Sequence, residues 1–216
     1  MDERTCVTIA GEQLVLHAAR ALHWPAGNGL MIADRHLGKG DTFRRVGIAL
    51  PSGGTDAVMA RLDRLLEVTC AAQLIVLGDF LHGAAPGFGV SERWETFRRR
   101  HSAVEFRVVA GNHDRALRAS RLSLDAVDES VLLGPFELVH VPDENSVTVQ
   151  LCGHIHPALS VVGLPGRWPA FWHRRRYTVL PAFSQFTGGH AIRLATGEAA
   201  TACINGHLLT VEGPSA

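Results

Sequence analysis

Gly111-Asn112-His113-Asp114 is the stretch from which the fold of this chain can be read. It follows an apolar run, Phe106 to Ala110, in which Val108, Val109 and Ala110 suit a buried strand. Arg115-Ala116-Leu117-Arg118 then resumes helix-friendly composition, so the quartet sits on a strand-to-helix turn. In open α/β sheets, ligands bind in the crevice outside the carboxyl ends of the strands. A turn there that presents an amide oxygen, an imidazole and a carboxylate in succession is suited to facing a metal ion and a substrate.

The same arrangement recurs on either side. Gly29 to Ala33 reads as a buried strand and ends in Asp34-Arg35-His36. Along an extended chain residues i and i+2 share a side, so Asp34 and His36 can reach a common point. The loop Leu37 to Arg45 is glycine-rich and basic, either solvated or an anion-binding lip beside Asp34. Gln73 to Leu77 is the next buried strand, running into Gly78-Asp79-Phe80-Leu81-His82. Further on, Phe136 to Val141 alternates as a strand with His140 near its end, and Val147 to Cys152 leads into Gly153-His154-Ile155-His156-Pro157. His154 and His156 again stand at i and i+2.

The remainder is scaffold. Val7-Thr8-Ile9, Leu14 to His17 and Ala21 to Trp24 suggest an antiparallel opening, with His17 and His23 as ordinary strand or turn residues. A helix is expected from about Thr55 to Cys70, with Val58, Leu62, Leu65, Leu66 and Thr69 on one face. Ser91 is expected to cap a second helix, with Trp94 and Phe97 inward and Arg98-Arg99-Arg100-His101 on a solvated face. Strands are expected at 160–163, 177–180, 191–194 and 208–211.

Composition limits the alternatives. The chain of 216 residues is 46% hydrophobic and 19% charged, which fits one globular domain spanning 1–216. No apolar run approaches the roughly 20 residues that span a bilayer, and the start Met1-Asp2-Glu3-Arg4 lacks a signal pattern, so no membrane association and a cytoplasmic location are expected. Four scattered cysteines read as free thiols. Formal net charge is zero, whereas a protein gripping duplex DNA mainly by its phosphates is usually basic, so any nucleic-acid contact must come from a local patch.

Asp34, His36, Asp79, Asn112, His140, His154 and His156 nearly all lie just past expected strands, so a parallel sheet would gather them on one rim. Buried carboxylates and imidazoles without a compensating cation would be costly. Mixed Asp, Asn and His donors suit Mn²⁺, Fe²⁺ or Zn²⁺. Seven positions exceed one ion, and two ions bridged by one carboxylate fit better. Such a pair can clamp the attacking and leaving oxygens of a displacement at phosphorus and bring a bridging water toward a pKa of about 7. His113 is left over as a non-ligand, suited to stabilising phosphoryl oxygens or protonating the leaving oxygen, with Asp114 fixing its orientation.

Asp34-x-His36, Gly78-Asp79, Gly111-Asn112-His113-Asp114, an isolated His140 and Gly153-His154-x-His156 occur in the order that marks calcineurin-like metallophosphoesterases, which this chain resembles. The resemblance implies a four-layer α/β/β/α sandwich. It implies one metal on Asp34, His36, Asp79 and His156, and another on Asp79, Asn112, His140 and His154, with Asp79 bridging. A closer resemblance runs through Ala33 to Gly40, Phe43-Arg44-Arg45, Leu77 to His82, Gly111 to Arg115, Gly153 to Pro157 and Phe186 to Gly189. These segments are similar to the bacterial ligase-associated DNA-damage-response endonuclease family, PdeM. That family implies a manganese-dependent phosphodiesterase acting on DNA beside a DNA ligase and a helicase, with Lys39, Arg44, Arg45 and Arg115 gripping phosphate. His82 and His190 can approach the site or serve structure. Two other functions compete: a small-molecule diesterase or nucleotide-lipid pyrophosphatase, and a repair-complex scaffold with vestigial activity. An intact His113 and unsubstituted ligand positions argue against the scaffold.

Overall fold

The computed structural model describes residues 3–39, 54–81, 88–117, 119–120, 122–185 and 187–215, with residues 54, 55 and 88 described by their backbone alone. Arg44, Arg45 and His82 lie outside the described residues.

The chain opens with β1 (Arg4–Ile9), β2 (Glu12–His17), β3 (Ala21–Trp24) and β4 (Gly29–Ala33), an antiparallel meander. Beyond β4 the sheet turns parallel through β5 (Gln73–Leu77), β6 (Glu105–Val109) and β7 (Ala126–Asp128). The connections that reverse the chain direction are helical, α1 (Gly54–Thr69) and α2 (Phe88–Arg100). Strands buried on both faces read as unbroken apolar runs, and alternation sorts their side chains. Leu30, Ile32, Leu74, Val76, Phe106 and Val108 pack under Val58, Leu62, Leu65, Trp94 and Phe97 of the helices. Met31, Ala33, Ile75, Leu77 and Val109 point the other way, onto Phe136, Leu138, Leu151, Phe171 and Leu180 of a second sheet. Each such fully buried side chain contributes about 1.5–3 kcal/mol.

The second sheet runs β14 (His190–Ala191), β11 (Pro157–Leu159), β12 (Trp168–His173), β13 (Tyr177–Val179), β10 (Val149–Cys152), β9 (Phe136–Leu138) and β8 (Val131–Leu133), with β15 (Ala199–Ile204) joining β12 to β16 (His207–Glu212). β9, β10 and β13 are mutually parallel. An isolated bridge between Ala33 and Ala182 ties the end of β4 to the segment that follows β13. The described residues thus supply one helical layer and two sheets of the four layers expected, and no described α-helix covers the second sheet's outer face. No described helix is long and apolar enough to cross a membrane. The four cysteines are free, Cys152 and Cys203 buried, Cys6 and Cys70 exposed.

Five expectations need correction. The strand expected at 191–194 is limited to β14, His190–Ala191, and the turn at 111–114 opens into a single 3-10 turn, Asp114–Ala116, with no described α-helix after it. Ser91 lies inside α2 and does not cap it, since the helix already begins at Phe88. The expected strand at 160–163 is a loop, with Val162 fully solvated, and its place is taken by β11 just before it. Arg98 does not join the solvated face: its guanidinium pairs with Asp125 at 3.0 Å and lies over the Phe106 ring at 4.3 Å.

His173, at the end of β12, is held between the Thr178 and Thr201 hydroxyls, each 3.3 Å away. Burial pushes its pKa down from 6.5 to about 4. The unfolded chain therefore takes up the proton first, so His173's contribution to stability is complete above pH 6.5 and is lost as pH falls toward 4. Linkage puts the loss at about 2 kcal/mol between pH 7 and pH 5. Unfolding free energies from urea titration at the two pH values are expected to fall by about that much less in His173→Gln than in the parent, and equal falls would refute the assignment.

Candidate metal centre

The register places the candidate residues. Ala33, Leu77 and Val109 are aligned across β4, β5 and β6, so the residues that follow each strand leave the sheet along one rim. In the second sheet Leu138 of β9 pairs with Leu151 of β10, which brings His140 and His154 out beside each other. Asp34, His36, Asp79, His154 and His156 all have positive φ, between 48° and 69°. Left-handed backbone costs a non-glycine residue about 1–2 kcal/mol, and strain concentrated in this way is characteristic of functional sites. Asp34 and His36 accordingly converge through a turn, not through strand alternation as the sequence suggests.

Two groups of donor atoms cluster here, Asp34 with His36 and His156, and Asp34 with Asp79 and His140, each within 4.8 Å. Asp34, His36, Asp79 and His140 are buried, His156 is partly buried and His154 exposed. Asp34 is common to both groups, while Asp79 belongs to the second and reaches toward the first with its other oxygen: Oδ2 is 3.9 Å from His36 Nε2, and Oδ1 is 3.6 Å from His140 Nε2. Asp34 Oδ1 lies 3.3 Å from His156 Nε2 and 3.9 Å from His140 Nδ1. That His140 nitrogen faces the Leu77 carbonyl at 3.2 Å, which turns the lone pair of Nε2 toward Asp79 and His154. His156 is likewise hydrogen-bonded to the main chain of Gly188. A main-chain carbonyl on one ring nitrogen, with the other turned to a cluster of carboxylates, is how metal-ligating histidines are oriented. His140 Nε2 and His154 Nδ1 stand 3.2 Å apart, the spacing of two nitrogens each about 2.1 Å from one ion. The donor set therefore fits divalent metal ions.

Electrostatics agree with the geometry. Burial lowers the His156 pKa, but Asp34 outweighs it and the net shift is upward. Burial and the neighbouring His140 lower that of His154. Burial also lowers that of Lys39, which is held up in part by the charges of Asp79 and Asp34 and so faces the rim. The glycines preceding the ligands are required for space. A side chain at Gly78 would run into the His140 ring, and a Cβ at Gly153 would stand 2.8 Å from Asp34 Oδ2.

Among solved structures, the crystal structure of Pseudomonas putida nuclease MPE is similar to this chain at a TM-score of 0.84 and 34% identity, over 97% of this chain and 100% of that one. The chain belongs to the family of that nuclease. Fainter likenesses, each at a TM-score of 0.43, are to a protein of unknown function from Aquifex aeolicus (16% identity, 59% of this chain and 78% of that one) and to the E. coli phosphoesterase Yfce (18%, 85% and 97%). No protein-family model and no curated protein matches the chain.

In this family member His113 stands on the rim with its ring exposed and 5.6 Å from that of His36, while its main-chain N–H donates to Asp79 Oδ1 at 2.9 Å. Asn112 is exposed on the same turn. Asp114 corrects the sequence expectation: its oxygens accept from the main-chain N–H groups of Gly111 (2.9 Å), Phe80 (3.2 Å) and Leu81 (2.8 Å), and none bonds the His113 ring. The carboxylate instead clamps the Gly111 turn onto the Asp79 turn. Arg115 is exposed. His190 is exposed as well and holds the His156 carbonyl through its own N–H at 2.9 Å.

Two features carry no motif. Arg35, the spacer of Asp34-x-His36, sinks into the core against the Phe80 and Trp94 rings at 5.4 and 5.6 Å, and burial lowers its pKa to about 9. The segment Ala182 to Ser184 supports the Asp34 turn, with the N–H groups of Phe183 and Ser184 donating to the carbonyls of Ala33 (2.8 Å) and Asp34 (3.3 Å).

Proposed function

We propose that the protein is a phosphodiesterase working with two divalent metal ions, Mn²⁺ foremost, and that its substrate is nucleic acid, DNA in a repair setting beside a ligase and a helicase. One observation carries the reading: two carboxylates and four imidazoles converge past the strand ends of a chain 34% identical to a nuclease. The choice of DNA and of Mn²⁺ rests on the motif resemblance.

In this reading Asp34, His36, Asp79 and His156 hold one ion, and Asp79, Asn112, His140 and His154 hold the other. Asp79 is the shared carboxylate because its two oxygens face the histidines of the two sets separately. Ions bound there supply Lewis acidity toward phosphoryl oxygens and a water acidified toward neutral pH. The chain does the rest. Asp114 sets the height of the His113 turn against Asp79, and the His113 ring meets a phosphoryl oxygen or gives its proton to the departing oxygen. Lys39, Arg44, Arg45 and Arg115 grip the flanking phosphates.

Bis-p-nitrophenyl phosphate and p-nitrophenyl phosphate, offered to metal-stripped protein with Mn²⁺ restored, test this reading. Metal-dependent turnover of the diester with little of the monoester is expected, followed by cleavage of defined DNA. A preference for the monoester, or no turnover of either, would overturn it.

A further inference from the structure

A cavity of about 820 Å³ opens between α1 and the two sheets, and none of the candidate metal ligands lines it. Arg4, Arg20, Arg61 and Arg64 line it together with His17, and no described residue in its lining is acidic. The chain as a whole balances 21 basic against 21 acidic residues, so this is a local separation of charge. Several arginines elsewhere are paired: Arg93 with Asp56, Arg100 with Asp63, Arg107 with Asp128, and Arg174 with Glu198. Arg4 and Arg64 are exposed and form no ion pair among the described residues. Arg20 is partly buried, and its guanidinium donates to the carbonyls of Ala182 (3.3 Å) and Ser184 (3.1 Å), with no carboxylate paired to it among the described residues. A buried cation without a counter-charge is costly, and an arriving anion would relieve it. Apolar lining comes from Leu65 and Val68, one helical turn from Arg61 and Arg64 on α1, and from Trp168 of β12, whose indole N–H is buried without an acceptor.

We propose that this cavity binds a nucleotide phosphate, with the phosphate on the guanidinium cluster and the base against Trp168 and its apolar neighbours. Guanidinium is the preferred partner of phosphate oxygens, aromatic and apolar walls take bases of any sequence, and the volume lies within the range of small-ligand sites, about 300–1,000 Å³. The ligand is either a free nucleotide or the phosphorylated end of a strand. The site is independent of the metal centre's role, although the two share a support. Arg20 and Arg61 hold the carbonyls of Ala182, Phe183 and Ser184 on one side, while that segment holds Ala33 and Asp34 on the other.

Calorimetric titration of the full chain with AMP tests the proposal, with adenosine, inorganic phosphate and a short phosphorothioate oligonucleotide, with and without a 5′-phosphate, as separate titrants. AMP is expected to bind one site and to outbind both adenosine and phosphate. Arg4→Glu/Arg64→Glu, two exposed positions, should weaken it at least about tenfold, or 1.4 kcal/mol, with Arg64→Gln intermediate and the melting temperature unchanged. Asp79→Asn should bind AMP as the parent does. A tighter 5′-phosphorylated oligonucleotide would identify a strand end, and a tighter AMP a free nucleotide. Failure of the parent to bind AMP at millimolar concentration, equal binding in the double variant, loss of binding in Asp79→Asn, or phosphate binding as well as AMP would each overturn the site.

Discussion

Asp79→Asn is expected to strip both ions and abolish diester hydrolysis, a loss well beyond the roughly 10–100-fold that removing a mere outer partner of a ligand costs. The amide keeps an oxygen for the His113 N–H, which donates to Asp79 Oδ1 in the parent, so the turn should survive and the loss will report charge and bridging geometry. An amide cannot offer two anionic oxygens to two ions. Asp34→Asn provides the contrast. Asp34 is a member of both donor groups, yet the His140 nitrogen it faces is Nδ1, the one occupied by the Leu77 carbonyl. That variant should lose the ion on the His36 and His156 side and retain the other. Metal counted by mass spectrometry after gel filtration decides. Two ions and full turnover in Asp79→Asn would eliminate it as the bridge, and loss of both ions in Asp34→Asn alone would transfer that role to Asp34.

What sequence makes legible here is whatever one strand and its own end contain. Gly29–Ala33 and Gln73–Leu77 are read to the residue, because strands buried on both faces are unbroken apolar runs closed by a polar turn. The candidate ligands follow from the same fact, since each stands just past such a run. Elements whose partners lie far along the chain are harder to read. β15 is the alanine-rich Ala199–Ile204, poor in strand formers, and it exists because β12 and β16 pair on its two sides. β12 begins with Trp168 and Pro169 and ends at His173, just before three arginines, and it is held as a strand by β11, β13 and β15. Val161 and Val162 have high strand propensity, but with no neighbour to pair they stay in a loop, which shows how far that propensity depends on context.

The errors within the site have the same origin. Asp114 looks like the partner of its neighbour His113, but a carboxylate surrounded by three main-chain N–H groups satisfies those first, and two of them belong to the turn after β5. Arg98 looks solvated from its place in a charge run, but Asp125, 27 residues away, draws it inward. The arginine-lined cavity has no sequence signature at all, since Arg4, Arg20, Arg61 and Arg64 come from three separate elements and loops. Motifs with short spacing could be found, and juxtapositions created by sheet packing could not.

His113→Ala should leave both ions in place and lower the diester rate by about 10²–10⁴-fold, the usual worth of a positioned proton donor. The structure separates the two halves of this residue. Its main-chain N–H carries the bond to Asp79 and survives in alanine, while the ring stands exposed at the rim and is all that the substitution removes. Leaving-group dependence then distinguishes the two roles open to the ring. If it protonates the departing oxygen, the loss should be small for p-nitrophenolate, which leaves without a proton, and large for the alkoxide of a DNA sugar. If it steadies phosphoryl charge instead, both substrates should suffer alike. A change in metal stoichiometry would make His113 a ligand and redraw both metal sets. An unchanged rate on DNA would remove it from the chemistry, and with it the strongest argument that the rim acts as an enzyme and not as a metal-stabilised scaffold.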